Sequence, residues 1–312
     1  MSSNKQEQDN KQPPENNKRC GFIALLGAPN AGKSTLLNAV VGAKISIVTH
    51  KAQTTRSQIR GVVNRGDSQI VFIDTPGVFS PKRRLDRAMV KSAWSGAREA
   101  DFAALIIDAH KGITPEVDRL LEGLKNAGNI CLLVLNKIDK INPENLLSLS
   151  AQLNERGNFA KTFMVSALKG HGLEDFVEWA KKASPPGPWH FPEDQITDLS
   201  LALSAAEVTR EKLFLRIHEE IPYNITVETE SFKVQKDGSY RIEQVIYVTR
   251  DGHKKIVLGK GGQTIKNIGA EARRDLSEMF ETKVHLFLFV KVRASWADDP
   301  SRYREMGLEF HD

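Results

Sequence analysis

Short, almost continuous runs of apolar residues alternate with helical patterns between residues 21 and 183. Strands that are covered on both faces read in this way, whereas a half-exposed strand alternates apolar and polar positions. The intervals at 35–41, 87–97 and 115–126 place apolar residues at helical spacing. This part is therefore predicted to form an α/β domain with a mostly parallel sheet flanked by helices. The candidate strands are residues 22–26, 70–73, 103–107, 130–135 and 162–165.

A second, smaller α+β domain is predicted beyond residue 199, where the pattern changes. The Pro-rich run 184–192 separates the two parts, since it can continue neither a helix nor a central strand. Beyond it the predicted order is helix, strand, strand, helix, helix, strand. The first helix is expected to open at a capping box of Ser204 and Glu207. The later elements are strands at 225–230, 240–249 and 284–292, a short apolar turn or helix at 255–258, and a helix with apolar residues at 265, 268, 272, 276 and 280.

These changes of composition divide the chain into five segments. Residues 1–18 are rich in Asn, Gln, Lys, Glu and Pro, which is typical of a disordered tail, and they lack the apolar segment of a secretion signal. No run of about 18 apolar residues occurs, so no membrane span is expected. The predicted segments are a tail at 1–19, the α/β domain at 20–183, a linker at 184–199, the second domain at 200–295 and a C-terminal tail at 296–312.

The distribution of charge and the number of cysteines indicate a local basic surface and a reducing cellular compartment. Its net charge is +5 and its pI is about 9.1, but the excess is local. Residues 250–274 hold seven Lys or Arg side chains against Asp251 and Glu271, which makes a basic patch. The two cysteines, Cys20 and Cys131, suit a reduced, cytoplasmic protein without a disulfide scaffold.

The stretch that follows the first candidate strand carries the strongest chemical signal. It fits the pattern G-x-x-x-x-G-K-[ST] and precedes a helical segment, which is the context that a phosphate-binding loop requires. Its glycines let backbone amides approach a phosphate, and the helix N-terminus adds a positive dipole end. Lys33 is expected to reach the β- and γ-phosphates, and Ser34 to ligate Mg²⁺. The expected nucleotide-binding residues here are Gly27, Ala28, Pro29, Asn30, Ala31, Gly32, Lys33, Ser34 and Thr35.

Two further segments are expected to face the phosphates. Asp74 ends a candidate strand in the sequence Asp-Thr-Pro-Gly, so its carboxylate can hold Mg²⁺ and the N–H of Gly77 can meet a γ-phosphate. The polar loop at 51–56 offers a threonine that would join Mg²⁺ only when a γ-phosphate is present. We favour Thr55 for this role, and Thr54 is the alternative.

The sequence Asn-Lys-Ile-Asp, which begins at the end of the fourth candidate strand, is expected to select guanine. A carboxylate at Asp139 accepts hydrogen bonds from N1–H and the 2-amino group of guanine, a donor pair that adenine lacks. After the next strand, Ser-Ala-Leu would present the N–H of Ala167 to guanine O6. These loops follow predicted strands, and open α/β sheets bind ligands at the carboxyl ends of their strands. The expected residues are Asn136, Lys137, Asp139, Ser166, Ala167 and Leu168.

Together with Thr55, these loops are similar to the five guanine-nucleotide motifs of the translation-factor-like GTPases. Val78 stands where Ras-like enzymes carry a water-orienting Gln, so slow intrinsic hydrolysis is expected. Asn30 resembles the asparagine that holds K⁺ in cation-dependent relatives, which makes K⁺ a candidate cofactor beside Mg²⁺. The expected catalytic residues are Asn30, Lys33, Thr55 and Gly77, and the expected Mg²⁺ ligands are Ser34, Thr55 and Asp74.

The sequence Gly-Lys-Gly-Gly at 259–262 lies between two predicted helical segments inside the basic patch. A G-x-x-G turn in this position is the backbone clamp of KH domains, where single-stranded nucleic acid lies against the glycines. The order of elements resembles the type II KH arrangement. Ile256, Ile265 and Ile268 would form an apolar groove for the bases. The expected RNA-binding residues are Lys255, Ile256, Gly259, Lys260, Gly261, Gly262, Ile265 and Lys266.

Over residues 20–308 the chain resembles the Era family of bacterial GTPases. The resemblance implies GTP and GDP as ligands, GTP hydrolysis, binding of the 3′ end of small-subunit ribosomal RNA, and a role in assembling the small ribosomal subunit. A monomer in the cytoplasm is expected, with a fraction in weak peripheral contact with the inner membrane. The Asn/Gln-rich tail departs from the family pattern. Beyond the nucleotide motifs, the similar segments are 210–214, 218–223, 227–230 and 259–262, with Trp296, Asp298, Asp299 and Gly307 in the C-terminal tail.

Two other classes of GTPase are open alternatives. An RNA-modifying GTPase needs a second catalytic centre, which is typically built on a cysteine or a cofactor pocket. Both cysteines of this chain lie in the α/β part, so neither is available for such a centre in the second domain. A membrane-remodelling GTPase needs long assembly helices or a lipid-binding amphipathic segment, and neither is evident in the sequence. Peripheral membrane contact through the basic patch is compatible with the sequence.

Overall fold

The computed structural model describes residues 17–51, 53–125, 128–217, 221–294, 296, 299–300, 303 and 306–309. Most of the predicted N-terminal tail lies outside these residues. So do residues 218–220 and Asp298, which belong to the segments that resemble the Era family.

Strands and helices alternate through residues 19–183, as the apolar runs predict. All five candidate strands are confirmed, and the helix after the phosphate loop begins at Lys33, two residues before its predicted start. The strands are β1 (Arg19–Leu26), β2 (Ile59–Arg65), β3 (Ser68–Asp74), β4 (Phe102–Asp108), β5 (Ile130–Asn136) and β6 (Lys161–Val165). The helices are α1 (Lys33–Val41), α2 (Arg84–Glu99), α3 (Pro115–Lys125), α4 (Pro143–Arg156) and α5 (Leu173–Ala183).

The six strands form one sheet in the order β2-β3-β1-β4-β5-β6. Neighbouring strands are parallel except β2 and β3, which pair antiparallel. β2 was not predicted, because its sequence Ile-Arg-Gly-Val-Val-Asn-Arg lacks the continuous apolar run of a strand covered on both faces. The other five strands end at the same edge of the sheet, so the loops that follow them meet there.

Apolar helix faces cover both sides of this sheet. α1 and α5 pack on one side, through buried residues that include Leu36 and Phe176. α2, α3 and α4 pack on the other side, through Ala93, Leu120 and Leu149 among others. This double cover explains why the strands read as continuous apolar runs, and it gives the loops at the carboxyl edge a rigid support.

The segment that the sequence marks as a linker runs along the edge of the sheet. The backbone N–H of Val62 donates to Ile196 O (2.9 Å), and Gly61 pairs with Thr197 in an isolated antiparallel bridge. These contacts satisfy backbone groups that an edge strand would otherwise leave open. The domain boundaries drawn through this segment stay a prediction.

The second part of the chain follows the predicted order of elements. Its elements are α6 (Leu201–Arg216), β7 (Ile225–Val234), β8 (Tyr240–Val248), α7 (Asp251–Leu258), α8 (Gln263–Met279) and β9 (Val284–Val292). The sheet has the order β7-β8-β9, with β7 antiparallel and β9 parallel to β8. One side of this sheet and the helices α6, α7 and α8 share an apolar core.

One prediction about this second part was wrong in detail, and another placed a helix start too late. α6 begins at Leu201, and its N-cap is Ser200, whose Oγ accepts a hydrogen bond from Leu203 N (3.2 Å). Ser204 therefore lies in the first turn rather than before it. The short segment at 255–258, predicted as a turn or a helix, is helical, but its helix α7 already begins at Asp251.

The described residues near the C-terminus pack against the α/β part. Trp296, Tyr303 and Leu308 are buried, and they pack with Leu85 and Met89 of α2. These three residues are therefore in contact with the helix that follows the Asp-Thr-Pro-Gly loop.

Two predictions about cysteines and membrane spans can be compared with the described residues. Cys20 and Cys131 are both buried and unpaired. Within the described residues, no helix is long and apolar enough to cross a membrane.

Candidate nucleotide site and RNA interface

The loop at 27–32 joins β1 to α1 and packs closely against its surroundings. A Cβ on Gly27 would lie 2.5 Å from Ile106 O, and a Cβ on Gly32 would lie 2.2 Å from Asn136 Nδ2. Gly32 also has φ +100°, a conformation that favours glycine. Close packing against β4 and Asn136 therefore accounts for glycine at both positions.

Lys33 lies at the start of α1, and its side chain folds back over the loop. Nζ donates to Gly27 O (3.1 Å) and to Ala28 O (3.2 Å). Burial lowers the pKa of Lys33 to about 8, and the nearby Asp74 carboxylate opposes part of that shift. The structure therefore places a desolvated amine where the motif expects phosphates, and this amine is mostly charged only below about pH 8.

We expect the affinity of the free protein for GDP to fall about four-fold between pH 7 and pH 8.5. Phosphates favour the charged form of Lys33, so above a pKa of about 8 binding must first draw a proton from solvent. Titration with a fluorescent GDP analogue at the two pH values measures the change. Lys33→Arg, which stays charged, should bind more weakly but lose this dependence. Equal wild-type affinity at both pH values would contradict the assignment.

Three hydroxyl groups converge on the carboxylate of Asp74, the last residue of β3. Its Oδ2 accepts from Ser34 Oγ (2.6 Å), Ser46 Oγ (3.0 Å) and Thr55 Oγ1 (3.3 Å), and the hydroxyls of Ser34 and Thr55 lie 2.9 Å apart. Among the described residues, its Oδ1 has no hydrogen-bond partner. Burial raises the pKa of Asp74 despite these donors and Lys33. Such a cluster of oxygen atoms around a buried carboxylate is the donor set that Mg²⁺ prefers.

The two threonines that were candidates for the metal lie in different surroundings. The Thr54 hydroxyl lies 2.6 Å from Thr49 Oγ1 and donates to Lys51 O (2.8 Å). The Thr55 hydroxyl contacts Asp74 instead. This geometry supports Thr55 as the ligand.

Gly77 and Val78 follow Asp74 and pass close to the phosphate loop. A Cβ on Gly77 would lie 3.1 Å from the Cα of Pro29, and the N–H of Val78 donates to Gly27 O (3.1 Å). The Val78 side chain is buried in the apolar cluster on the α2 side of the sheet. Position 78 therefore offers no polar side chain to a phosphate, which agrees with the slow hydrolysis expected from the sequence.

Asn136 connects three loops at the carboxyl edge. Its Nδ2 donates to Ala31 O (3.0 Å), while its Oδ1 accepts from Lys137 N (2.8 Å) and Ala167 N (3.0 Å). These bonds fix the positions of the phosphate loop and the two base-recognition loops relative to one another. The expected hydrogen bond from Ala167 N–H to guanine O6 requires that the bond to Asn136 be shared or exchanged when the base binds.

Asp139 presents an exposed carboxylate next to Asn136. Its Oδ1 accepts a hydrogen bond from Ser166 Oγ (2.6 Å), and this bond lowers the pKa of the carboxyl group. The group is therefore ionised at neutral pH, as acceptance of two guanine N–H donors requires. Leu168, whose side chain is 73% exposed, stands at the rim of the same cavity.

Lys137 and Asn30 tie the remaining loops together. Lys137 Nζ donates to Asn30 O (2.7 Å) and to Asp108 Oδ2 (2.7 Å). The side-chain amide of Asn30 donates to His50 O (2.8 Å). Asn30 therefore links the phosphate loop to the loop that carries Thr55.

Together the loops line a cavity of about 480 Å³ at the carboxyl edge of the sheet, a size suited to a small-molecule ligand. All five predicted nucleotide segments contribute to its wall. Ser46, His50, Asp108 and His110 belong to this region and were not predicted. Asp108 and His110 lie at or just after the end of β4, so their place at the carboxyl edge was an available signal. No spacing rule marks Ser46 or His50.

The Gly-rich turn at 259–262 separates α7 from α8. Gly259, Gly261 and Gly262 have φ values of +73°, +59° and +77°. A Cβ on Gly259 would lie 2.1 Å from Thr264 Oγ1, whereas Gly261 and Gly262 face open space. The outer side of the turn therefore exposes backbone that a ligand can approach closely.

Basic and apolar side chains surround this turn. Lys255, Lys260 and Lys266 are exposed, and Ile256 exposes 48% of its surface. Ammonium groups beside an exposed isoleucine suit a strand with phosphates on one side and bases on the other.

The apolar groove contains fewer exposed isoleucines than the sequence predicted. Ile265 is only partly exposed, and it packs against the core of the second part. Ile268 is fully buried in that core beside Val257, so the prediction that it contacts bases was wrong. Both residues fit the helical period of α8, and a period alone does not tell the rim of a groove from the core.

Comparison with known proteins agrees with this division of sites. Residues 22–137 match the family model of the 50S ribosome-binding GTPases, and residues 220–297 match that of the KH domain. The chain is 58% identical over 292 residues to the GTPase Era of Sinorhizobium medicae, covering 94% of each chain. The identity to the GTPase Era of Brucella suis is also 58%, again over 94% of each chain.

Two solved Era structures have the same fold. A variant Era of Aquifex aeolicus bound to GDP and AlF₄⁻ is 39% identical, with a TM-score of 0.88 over 93% of this chain and 99% of that one. An Era in complex with MgGDPNP and nucleotides 1506–1542 of 16S ribosomal RNA is 38% identical, with the same TM-score and coverage. On this identity and this extent of overlap, the chain belongs to the Era family of GTPases.

Proposed function

We propose that this chain is a GTP-hydrolysing switch that binds the 3′ end of small-subunit ribosomal RNA and assists assembly of the small ribosomal subunit. The observation that carries the proposal is one chain with both a cavity lined by guanine-nucleotide loops and a KH domain with an open G-x-x-G turn. A relative that covers 93% of this chain holds MgGDPNP and a 16S ribosomal RNA fragment at once. That precedent supports both ligands here.

The donor set around Asp74 fits Mg²⁺. Ser34, Thr55 and Asp74 would hold the ion, and the buried Oδ1 of Asp74 marks an oxygen that lacks a partner among the described residues. When bound, Mg²⁺ neutralises charge on the β- and γ-phosphate oxygens. Ser46 donates to the same carboxylate and would orient it.

The remaining groups of the cavity bind and position GTP for attack by water on the γ-phosphate. The amides of the phosphate loop and the Lys33 ammonium contact the phosphates, and the N–H of Gly77 meets the γ-phosphate. Thr55 would join the Mg²⁺ ligands only when a γ-phosphate is present, so its loop distinguishes GTP from GDP. Asp139 selects guanine. Since the Val78 side chain is buried and apolar, the reaction without a partner should be slow.

Asn30 is the residue that would bind a monovalent cation, K⁺, in addition to Mg²⁺. Asn30 belongs to the phosphate loop, and its side-chain amide donates to His50 O in the loop that leads to Thr55. We expect turnover of GTP to rise several-fold when K⁺ replaces Na⁺ at constant ionic strength, as phosphate release measures. Asn30→Ala should remove the difference while GDP binding persists. Equal wild-type rates in the two salts would remove Asn30 from this role.

On the KH domain, RNA would lie along the 259–262 turn. The backbone at Gly261 and Gly262 approaches phosphates, Lys255, Lys260 and Lys266 add charge, and Ile256 and the exposed part of Ile265 contact bases.

We further propose a cytoplasmic monomer with weak peripheral membrane contact through the basic patch at 250–274. Sedimentation with anionic liposomes at two salt concentrations, with and without competing RNA, separates membrane binding from RNA binding.

Crosslinking of the GTP-bound protein to total RNA, followed by sequencing of the attached fragments, tests the proposed target. The proposal expects enrichment of the 3′ end of small-subunit ribosomal RNA. Fragments spread evenly over all RNA, or none above background, would contradict it. The same sample with GDP controls for the dependence on the nucleotide.

A further inference from the structure

The loop at 44–56, which carries the candidate metal ligand Thr55, is held from the KH part of the chain. The N–H of Val48 donates to Glu211 Oε1 (3.0 Å). The ammonium group of Lys51 donates to two backbone carbonyls at the C-terminal end of α6. Partners that lie more than 160 positions away in the sequence therefore shape the loop.

Arg56, the residue after Thr55, makes the most deeply buried of these contacts. It is 4% exposed, and its guanidinium donates to Ile225 O (2.7 Å), at the start of β7, and to Pro222 O (3.1 Å), in the turn just before that strand. The guanidinium carbon lies 5.7 Å from the Phe214 ring centroid and 5.6 Å from that of Trp296. Two carbonyls and two aromatic rings thus fix a planar cation whose neighbour in the chain is Thr55.

We propose that Arg56 is a positioning residue that couples the metal-binding hydroxyl of Thr55 to the KH domain and the C-terminal tail. The inference rests on the proposed function, and it adds a residue through which the two sites communicate. A shift of Arg56 moves Thr55 because one peptide unit joins them. The hydroxyl of Thr55 must stay within reach of Ser34 and Asp74 to serve the metal.

The tail gives this coupling a second path to the phosphates. Trp296, whose ring lies in cation–π contact with Arg56, donates from Nε1 to Asn224 O (3.1 Å), and it packs with Leu85 and Met89 of α2. α2 follows the loop of Asp74 and Gly77. The Thr55 loop, through Arg56, and α2, the helix that follows the Asp74 loop, therefore both contact Trp296. By reciprocity, a ligand that moves Trp296 changes GTP affinity, and GTP changes the affinity for that ligand.

The test compares the affinities of full-length variants for GDP and for a non-hydrolysable GTP analogue over a range of Mg²⁺ concentrations. Arg56→Ala should weaken analogue binding about 10-fold and raise the half-saturating Mg²⁺ concentration, while GDP affinity stays within about two-fold. Arg56→Lys, which keeps a cation but lacks the two guanidinium nitrogens that donate to Ile225 O and Pro222 O, should be intermediate. Trp296→Phe should shift analogue binding in the same direction, and adding it to Arg56→Ala should have little further effect.

Arg60→Ala is the matched control, because Arg60 lies four residues along the chain and pairs with Asp198 at the surface. It should leave both affinities unchanged. If Arg56→Ala does not fold, Arg56→Lys and Trp296→Phe decide the question. Equal losses for GDP and the analogue, or no loss in a folded variant, would overturn the inference. A wild-type protein that neither binds nor hydrolyses GTP would instead overturn the proposed function.

Discussion

Asp139→Asn is expected to exchange guanine specificity for xanthine specificity. The Asp139 carboxylate accepts two N–H donors from guanine, and its hydrogen bond from Ser166 lowers its pKa and keeps it ionised. An amide in its place turns one acceptor into a donor, which suits the 2-oxo group of xanthine and opposes the 2-amino group of guanine. Because a site built on such bonds can discriminate by about 10⁴-fold, GTP affinity should fall by about 100-fold or more.

Competition of GTP and XTP for a fluorescent nucleotide measures this exchange. Asp118→Asn is the matched control, since Asp118 is also exposed and its partner is the surface residue Arg156 (2.6 Å). It should bind GTP as the wild type does. Unchanged GTP preference in Asp139→Asn would contradict the assignment of the base-recognition loop.

Gly259→Asp is expected to abolish RNA capture while GTP binding is retained. A side chain at this position meets Thr264 Oγ1 at 2.1 Å and Thr264 N at 2.9 Å, and the backbone has φ +73°. The turn must therefore rearrange, and a carboxylate is added where phosphates approach. Affinity for an oligoribonucleotide should fall by about 100-fold or more, since both the backbone clamp and the local charge change.

Filter retention measures RNA binding, and titration with a fluorescent nucleotide measures GTP binding in the same preparation. Gly187→Asp carries the same charge into open space, where no atom lies within 4 Å of the added Cβ, and should bind RNA normally. Where Gly259→Asp disturbs the KH fold, Lys260→Ala with Lys266→Ala gives a milder test. That double variant should weaken binding and, since each phosphate contact contributes about 0.7 for a single strand, reduce the salt slope by about 1.4 units. Full RNA affinity in both variants would contradict the interface.

The nucleotide site could be predicted from the sequence because its chemistry sits in short motifs. Gly27 to Ser34 and Asp74 to Gly77 are contiguous, and each follows an apolar run that becomes a buried strand. The packing of such strands against helices on both faces leaves only one edge where these loops can meet. The base-recognition segments follow the same rule.

Other features depended on contacts that no local pattern contains. The choice between Thr54 and Thr55 needed the position of Asp74, and the burial of Ile268 needed the core of the KH domain. β2 was not predicted from the sequence because this edge strand mixes polar and apolar positions. The contacts of Arg56 join residues 166 and 169 positions apart, so only the folded chain brings them together.

The most direct test of the central claim is the affinity of the full-length protein for an oligoribonucleotide of the 3′ end of small-subunit ribosomal RNA in two nucleotide states. Calorimetry or filter retention in Mg²⁺ buffer would compare a non-hydrolysable GTP analogue with GDP. If GTP controls RNA capture, binding should be about 10-fold tighter or more with the analogue. Equal affinity in the two states, or no binding in either, would contradict the account.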